Sequence, residues 1–150
     1  MSVSVYRPGK MHVERSLLLS LNLPETLPEA HERIAHGLSA DLLKKAASLS
    51  AFDEARLCRL AGIDRNTYAR RTKSSEQTFS ADQSGRIYML MRVLSAASKL
   101  FDGNMQRAAE WLDTPAKGLG GKKPSEMTST VAGAEAVINL IGQIEHSVIT

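Results

Sequence analysis

Cysteine is almost missing from this chain of 150 residues: Cys58 stands alone. A single thiol excludes an internal disulfide and most cysteine-based metal sites. It would need an activating base to act as a nucleophile, and its setting between Leu57 and Arg59 on a predicted helix supplies none, so it reads as a small buried residue. Aromatic residues make up only 5% of the chain, which favours aliphatic packing between helices. No apolar run approaches the roughly 18 residues of a membrane span. The stretch ending in Leu17, Leu18 and Leu19 is interrupted by Glu14, Arg15 and Ser16, too polar for a signal-peptide core, and a cytoplasmic location is expected. The four histidines are scattered; His31 and His36, five apart, do not share a helical face. The acid pair Asp53-Glu54 opens a predicted helix, where the dipole and free amides account for it. With no Ser/His/Asp, metal or nucleotide arrangement visible, neither an enzyme nor a cofactor is expected.

What the chain does contain is helical punctuation. Residues 1–24 carry the breakers Pro8-Gly9 and Pro24, and residues 13–23 are compatible with a short helix or a strand. From Pro28 onward the signals are helical. A helix over 29–36 ends at Gly37, and Ser39 caps another through 48, with Leu42, Leu43, Ala46 and Ala47 on one face. Asp53 opens the next and Gly62 stops it; Asp64 is placed to start a short helix to about Arg71. The polar run 73–78 reads as a loop. Ser80 with Gln83 forms a capping-box pattern for a long helix carrying Ile87, Leu90, Met91, Leu94, Ala97 and Phe101 at intervals of three and four. Asp102-Gly103 ends that central strut. With no alternating run after residue 30, the fold class expected is all-α.

Charge is unevenly spread. The net charge is only +3, but residues 56–73 hold Arg56, Arg59, Arg65, Arg70, Arg71 and Lys73 against one acid, Asp64, for a local +5; the remainder sums to −2. Such density on a compact element is the footprint of a polyanion partner. The same window has helix-turn-helix spacing. Cys58 and Ala61 are small where two helices must cross, Gly62 supplies a turn, and Ile63 and Tyr68 anchor the second helix. Arg71, three beyond Tyr68, stands where an apolar residue is usual. The second helix would offer Arg65, Asn66 and Thr67 to base edges, with Arg70 further along and Arg71 and Lys73 on phosphate. One such module has limited specificity, so a homodimer on a two-fold operator is expected. The apolar surfaces available for it are the first 50 residues and the long helix.

Beyond residue 101 the pattern changes. A helix over 104–112 presents Met105, Ala108, Ala109 and Leu112 as a buried stripe, with Trp111 at its edge, and Pro115 prevents its continuation. Gly118, Gly120 and Gly121 follow, surrounded by Lys117, Lys122 and Lys123. The run GLGGKKPS lacks Walker spacing and no strand precedes it, so a nucleotide site is not expected. Pro124 fits the first turn of a short helix covering 125–127. Thr130 is placed to cap the last helix, whose face is Ala134, Val137, Ile138, Ile141 and Ile144. The ending Ser147-Val148-Ile149-Thr150 is apolar and uncapped, as expected of a tail that docks on a partner.

Between residues 102 and 147, the spacing WL-x-x-P-x-x-x-L-x-G-x-x-P followed by T-x-x-G-x-x-x-V closely resembles the toxin-binding domain of the MbcA/ParS/Xre antitoxin family. The preceding helix-turn-helix resembles the Xre-type, Cro-like module, and the joint resemblance runs from Gly37 to the C-terminus. It implies three segments: 1–36 of unassigned role, 37–101 with the helix-turn-helix and long helix, and 102–150 for toxin binding. It further implies an antitoxin that obstructs the active site of a RES-family, NAD-depleting toxin through Leu119, Gly120, Gly121, Lys122, Lys123, Ser147, Val148, Ile149 and Thr150. Such a protein would repress its own operon and form hetero-oligomers with the toxin. The competing reading is a helix-turn-helix regulator with a C-terminal dimerisation domain and no toxin.

Overall fold

The computed structural model describes residues 16–73 and 78–149, and every regular element among them is helical. The helices are α1 (Leu17–Ser20), α2 (Leu27–His36), α3 (Ala40–Leu49), α4 (Glu54–Leu60), α5 (Arg65–Lys73), α6 (Ala81–Leu100), α7 (Met105–Leu112) and α8 (Val131–Ile149). Two single 3-10 turns, Lys117–Leu119 and Pro124–Glu126, lie between α7 and α8. An isolated antiparallel bridge joins Ser39 to Thr78. The ambiguous stretch 13–23 contains the short helix α1, while residues 1–15 of the N-terminal segment and 74–77 of the polar loop lie outside the described residues.

Local chemistry sets the helix ends. Ser39 accepts from the Asp41 amide, Asp53 from the Arg56 amide and Asn104 from the Arg107 amide, each satisfying a donor that has no partner within its helix. At α6 the Ser80 hydroxyl accepts from the Gln83 amide and the Gln83 side chain accepts from the Ser80 amide. Thr130 caps α8, its hydroxyl accepting from the Gly133 amide at 3.0 Å. Gly37, at φ 96°, closes α2.

The long helix α6 organises the molecule. Ile87, Leu90, Met91, Leu94 and Ala97 are all buried, as the three-four spacing requires. On it pack α1, α2, α7 and α8, while α3, α4 and α5 pack on one another as a three-helix unit. One continuous apolar cluster runs from Leu17 to Ile141. The segments 37–101 and 102–150 therefore share a core: Val137 and Ile141 of α8 are buried in the same cluster as α6.

Buried polar groups tie distant parts of the chain together. Ser84 accepts from the Leu38 amide at 2.8 Å, and the Tyr88 hydroxyl donates to the Pro24 carbonyl at 2.6 Å. Left unpaired, groups like these would each cost about 1–3 kcal/mol, so they fix the joints in which they lie.

Candidate functional site

The first candidate surface is built on α4, its turn and α5. Leu57, Cys58, Leu60, Ala61 and Ile63 are buried and hold the crossing. Burial, aided by the Glu54 carboxylate, pushes the Cys58 thiol up to about 11, so it stays protonated and packs as a small apolar residue. Gly62 takes φ 69°, and its amide and that of Ile63 return to the Arg59 and Cys58 carbonyls. This is a left-handed close that glycine tolerates best. Tyr68 anchors α5: its ring stacks on Phe79 at 6.5 Å and its hydroxyl donates to Glu54.

The sequence-predicted reading residues divide in two. Arg65, Asn66, Arg70 and Lys73 are exposed, and Arg71 is half-buried. Thr67 departs from the expectation. It is only 8% exposed, and its hydroxyl accepts from Arg70 rather than facing outward. The cause is register: Ile63, Thr67 and Arg71 lie four apart and share the inward side of the unit, a signal already present in the sequence. Arg56 also departs from the basic window. Its guanidinium lies 5.4 Å from the Phe52 ring centroid and donates to Asp113 at 2.7 Å.

The second surface lies between α7 and α8. Leu112 and Pro124 are buried, and Trp111 and Leu119 pack half-buried against the core. The loop between them closes on itself. Ala116 donates to the Lys122 carbonyl at 3.0 Å, Gly121 to the Ala116 carbonyl at 2.9 Å, and Lys123 to the Glu126 carboxylate at 2.9 Å. Gly120 and Gly121 take φ 67° and 85° and have nothing within 4 Å of where a side chain would begin. Lys117, Lys122 and Lys123 are exposed beside them. The predicted loop residues Leu119, Gly120, Gly121, Lys122 and Lys123 are thus contiguous. Of the predicted tail, Ser147 is exposed and lies with Val148 and Ile149 on the last turns of α8. The side chains of Val148 and Ile149, and Thr150 altogether, lie outside what the structure describes.

The T-x-x-G spacing has a steric basis. Besides the Thr130 cap, a Cβ on Gly133 would sit 1.8 Å from the Met127 carbonyl oxygen, so only glycine lets the first turn of α8 pass beneath that backbone. Sequence reasoning missed the residues joining the two surfaces. Asp113 accepts from both Arg56 and Ser125, and buried Thr128 donates to the Leu60 carbonyl at 2.7 Å. Partial burial raises the Asp113 pKa, but the hydrogen bonds from Ser125 and Arg56 outweigh that and hold it below its ordinary value. Among the described residues, no three His, Cys, Asp or Glu side chains are grouped to hold a metal ion, and no helix is long and apolar enough to cross a membrane.

A helix-turn-helix with a basic second helix, sharing its core with a helical unit that displays a closed glycine-lysine loop, defines a two-surface binding protein. Family models match both parts: residues 29–92 match the antitoxin Xre-like helix-turn-helix domain, and residues 96–146 the antitoxin Xre/MbcA/ParS C-terminal toxin-binding domain. Antitoxin Xre of Photorhabdus laumondii is 34% identical, covering 97% of this chain and 99% of the relative. Antitoxin Xre of Yersinia enterocolitica is 32% identical, covering 95% and 97%. The chain belongs to the Xre antitoxin family.

Proposed function

We propose that this antitoxin binds and inhibits a RES-family, NAD-depleting toxin and represses its own operon as a homodimer on operator DNA, in the cytoplasm. The observation that carries this reading is the presence of two separate exposed surfaces on one core, one on α5 and one on the loop between α7 and α8. On α5, Arg65, Asn66 and Arg70 are exposed and are the residue types that pair with guanine and adenine edges. Lys73 and half-buried Arg71 suit phosphate, and Thr67 supports the helix from within. The closed loop with Leu119, Gly120, Gly121, Lys122 and Lys123 offers the toxin a preformed, cationic, sterically open contact. Residues 147–150 complete the toxin-binding surface, Ser147, Val148 and Ile149 lying on the last turns of α8.

Growth rescue on co-expression with the toxin-like product of the neighbouring gene is the direct test. Rescue together with a stable co-purifying complex is the expected result; the absence of both defeats the antitoxin reading for that pair. Replacing Arg65, Asn66 and Arg70 by alanine is expected to abolish promoter binding in a mobility-shift assay while rescue persists. Loss of both activities would indicate misfolding. Removing residues 147–150 is expected to impair rescue and leave promoter binding largely intact, and full protection by that truncation would take the tail out of the mechanism.

A further inference from the structure

The segment between α7 and α8 does more than carry the glycine-lysine loop: it is fastened to the helix-turn-helix at both ends. At its start, Asp113 accepts from Arg56 on α4 at 2.7 Å and from Ser125 at 2.8 Å. At its finish, Thr128, 1% exposed, donates to the carbonyl of Leu60, the last residue of α4. The next residue presses on the turn, since a Cβ on Gly62 would lie 2.9 Å from the Ser129 carbonyl oxygen. From the other side, Arg86 of α6 donates to the Gly62 carbonyl at 3.2 Å.

Little slack separates these fastenings from the loop. Only Thr114 and Pro115 stand between Asp113 and the closed 116–122 loop, and only Lys123 and Pro124 between that loop and Ser125. Both connections contain proline, whose fixed φ limits how far they can yield.

We infer that residues 113–129 form a strap setting the position of the α4–α5 turn, with Asp113 and Thr128 as its positioning residues. A partner seated on the 116–123 loop is therefore sensed at the recognition helix within the same chain. This regulation rests on the reading of that loop as toxin-binding. The strap itself is intramolecular and is tested without any partner. Coupling of this kind requires an element whose state both sites bias, and the turn at Gly62 is that element.

Hydrogen exchange on the full chain tests the strap. In Asp113→Ala combined with Thr128→Val, protection of the amides in 57–66 is expected to fall by about tenfold, the scale of one or two lost hydrogen bonds, with α8 unchanged. Protection at 57–66 equal to that of the unaltered protein overturns the proposal. Should the double variant lose protection throughout, Ser125→Ala is the milder probe, removing one of the two hydrogen bonds to Asp113. A local loss at 57–66 then supports the strap, and no change there overturns it. Binding of the neighbouring gene's toxin-like product is expected to shift exchange at 57–66 as well as at 116–123. A shift confined to the loop overturns the coupling. If that product does not bind at all, the toxin-binding reading fails, while the partner-free comparison still decides the strap.

Discussion

Gly62 and Gly133 are both sterically constrained, for different reasons. Gly62 combines a left-handed φ with the Ser129 carbonyl close by. Gly62→Ala is therefore expected to lose about 1–3 kcal/mol, measured as a lowered urea midpoint with unchanged slope. Gly133 has no positive φ; its constraint is space alone, and Gly133→Ala is expected to cost about 3 kcal/mol by the same measurement. Asp113 gives a pH test. A carboxylate whose pKa is depressed in the folded state stabilises the fold above its unfolded pKa, near 3.8, and that contribution disappears as pH falls through the lower folded value. Asp113→Asn is thus expected to reduce stability at pH 7 by about 0.2–1 kcal/mol, because the ion pair is partly exposed. The gap to the unaltered protein closes at the acid end of a pH series of denaturation curves; a gap that persists there would assign the effect to something other than the charge.

At the scale of the element, ends are decided by neighbours in sequence. Ser80→Ala removes half of the reciprocal cap on α6 and is expected to cost about 1 kcal/mol, read from thermal unfolding. The Ser80→Thr replacement should retain most of that stability. Locality also explains what the sequence disclosed. Caps at Ser39, Asp53, Ser80 and Thr130, the stops at Gly37 and Gly62, and the buried stripe of α6 depend on spacings of two to four residues, and each is visible to a reader of the chain. The pairs Arg56–Asp113, Thr128–Leu60 and Tyr88–Pro24 join residues far apart, and no period in the sequence announces them. Arg56, part of the basic window in the sequence, is engaged by a carboxylate 57 positions away. Thr67 is the intermediate case: its inward orientation follows from the four-residue spacing with Ile63 and Arg71, whereas its polar character pointed outward.

For the whole molecule, the shared core matters most. Because α8 and α7 pack along α6, truncation after residue 101 would uncover the apolar face of that helix on which they pack. Such a fragment is expected to aggregate or unfold, detectable by light scattering and loss of a cooperative melt, rather than behave as an autonomous DNA-binding piece. A monodisperse, cooperatively melting fragment would show that the first hundred residues are self-sufficient. The Gly120-Gly121 corner has the opposite property. With empty solvent where side chains would begin, substitutions there meet only a conformational penalty, about 1 kcal/mol apiece, and disturb no packing. Under the proposed toxin contact, that corner is the place to engineer a change of cognate pairing while keeping the scaffold.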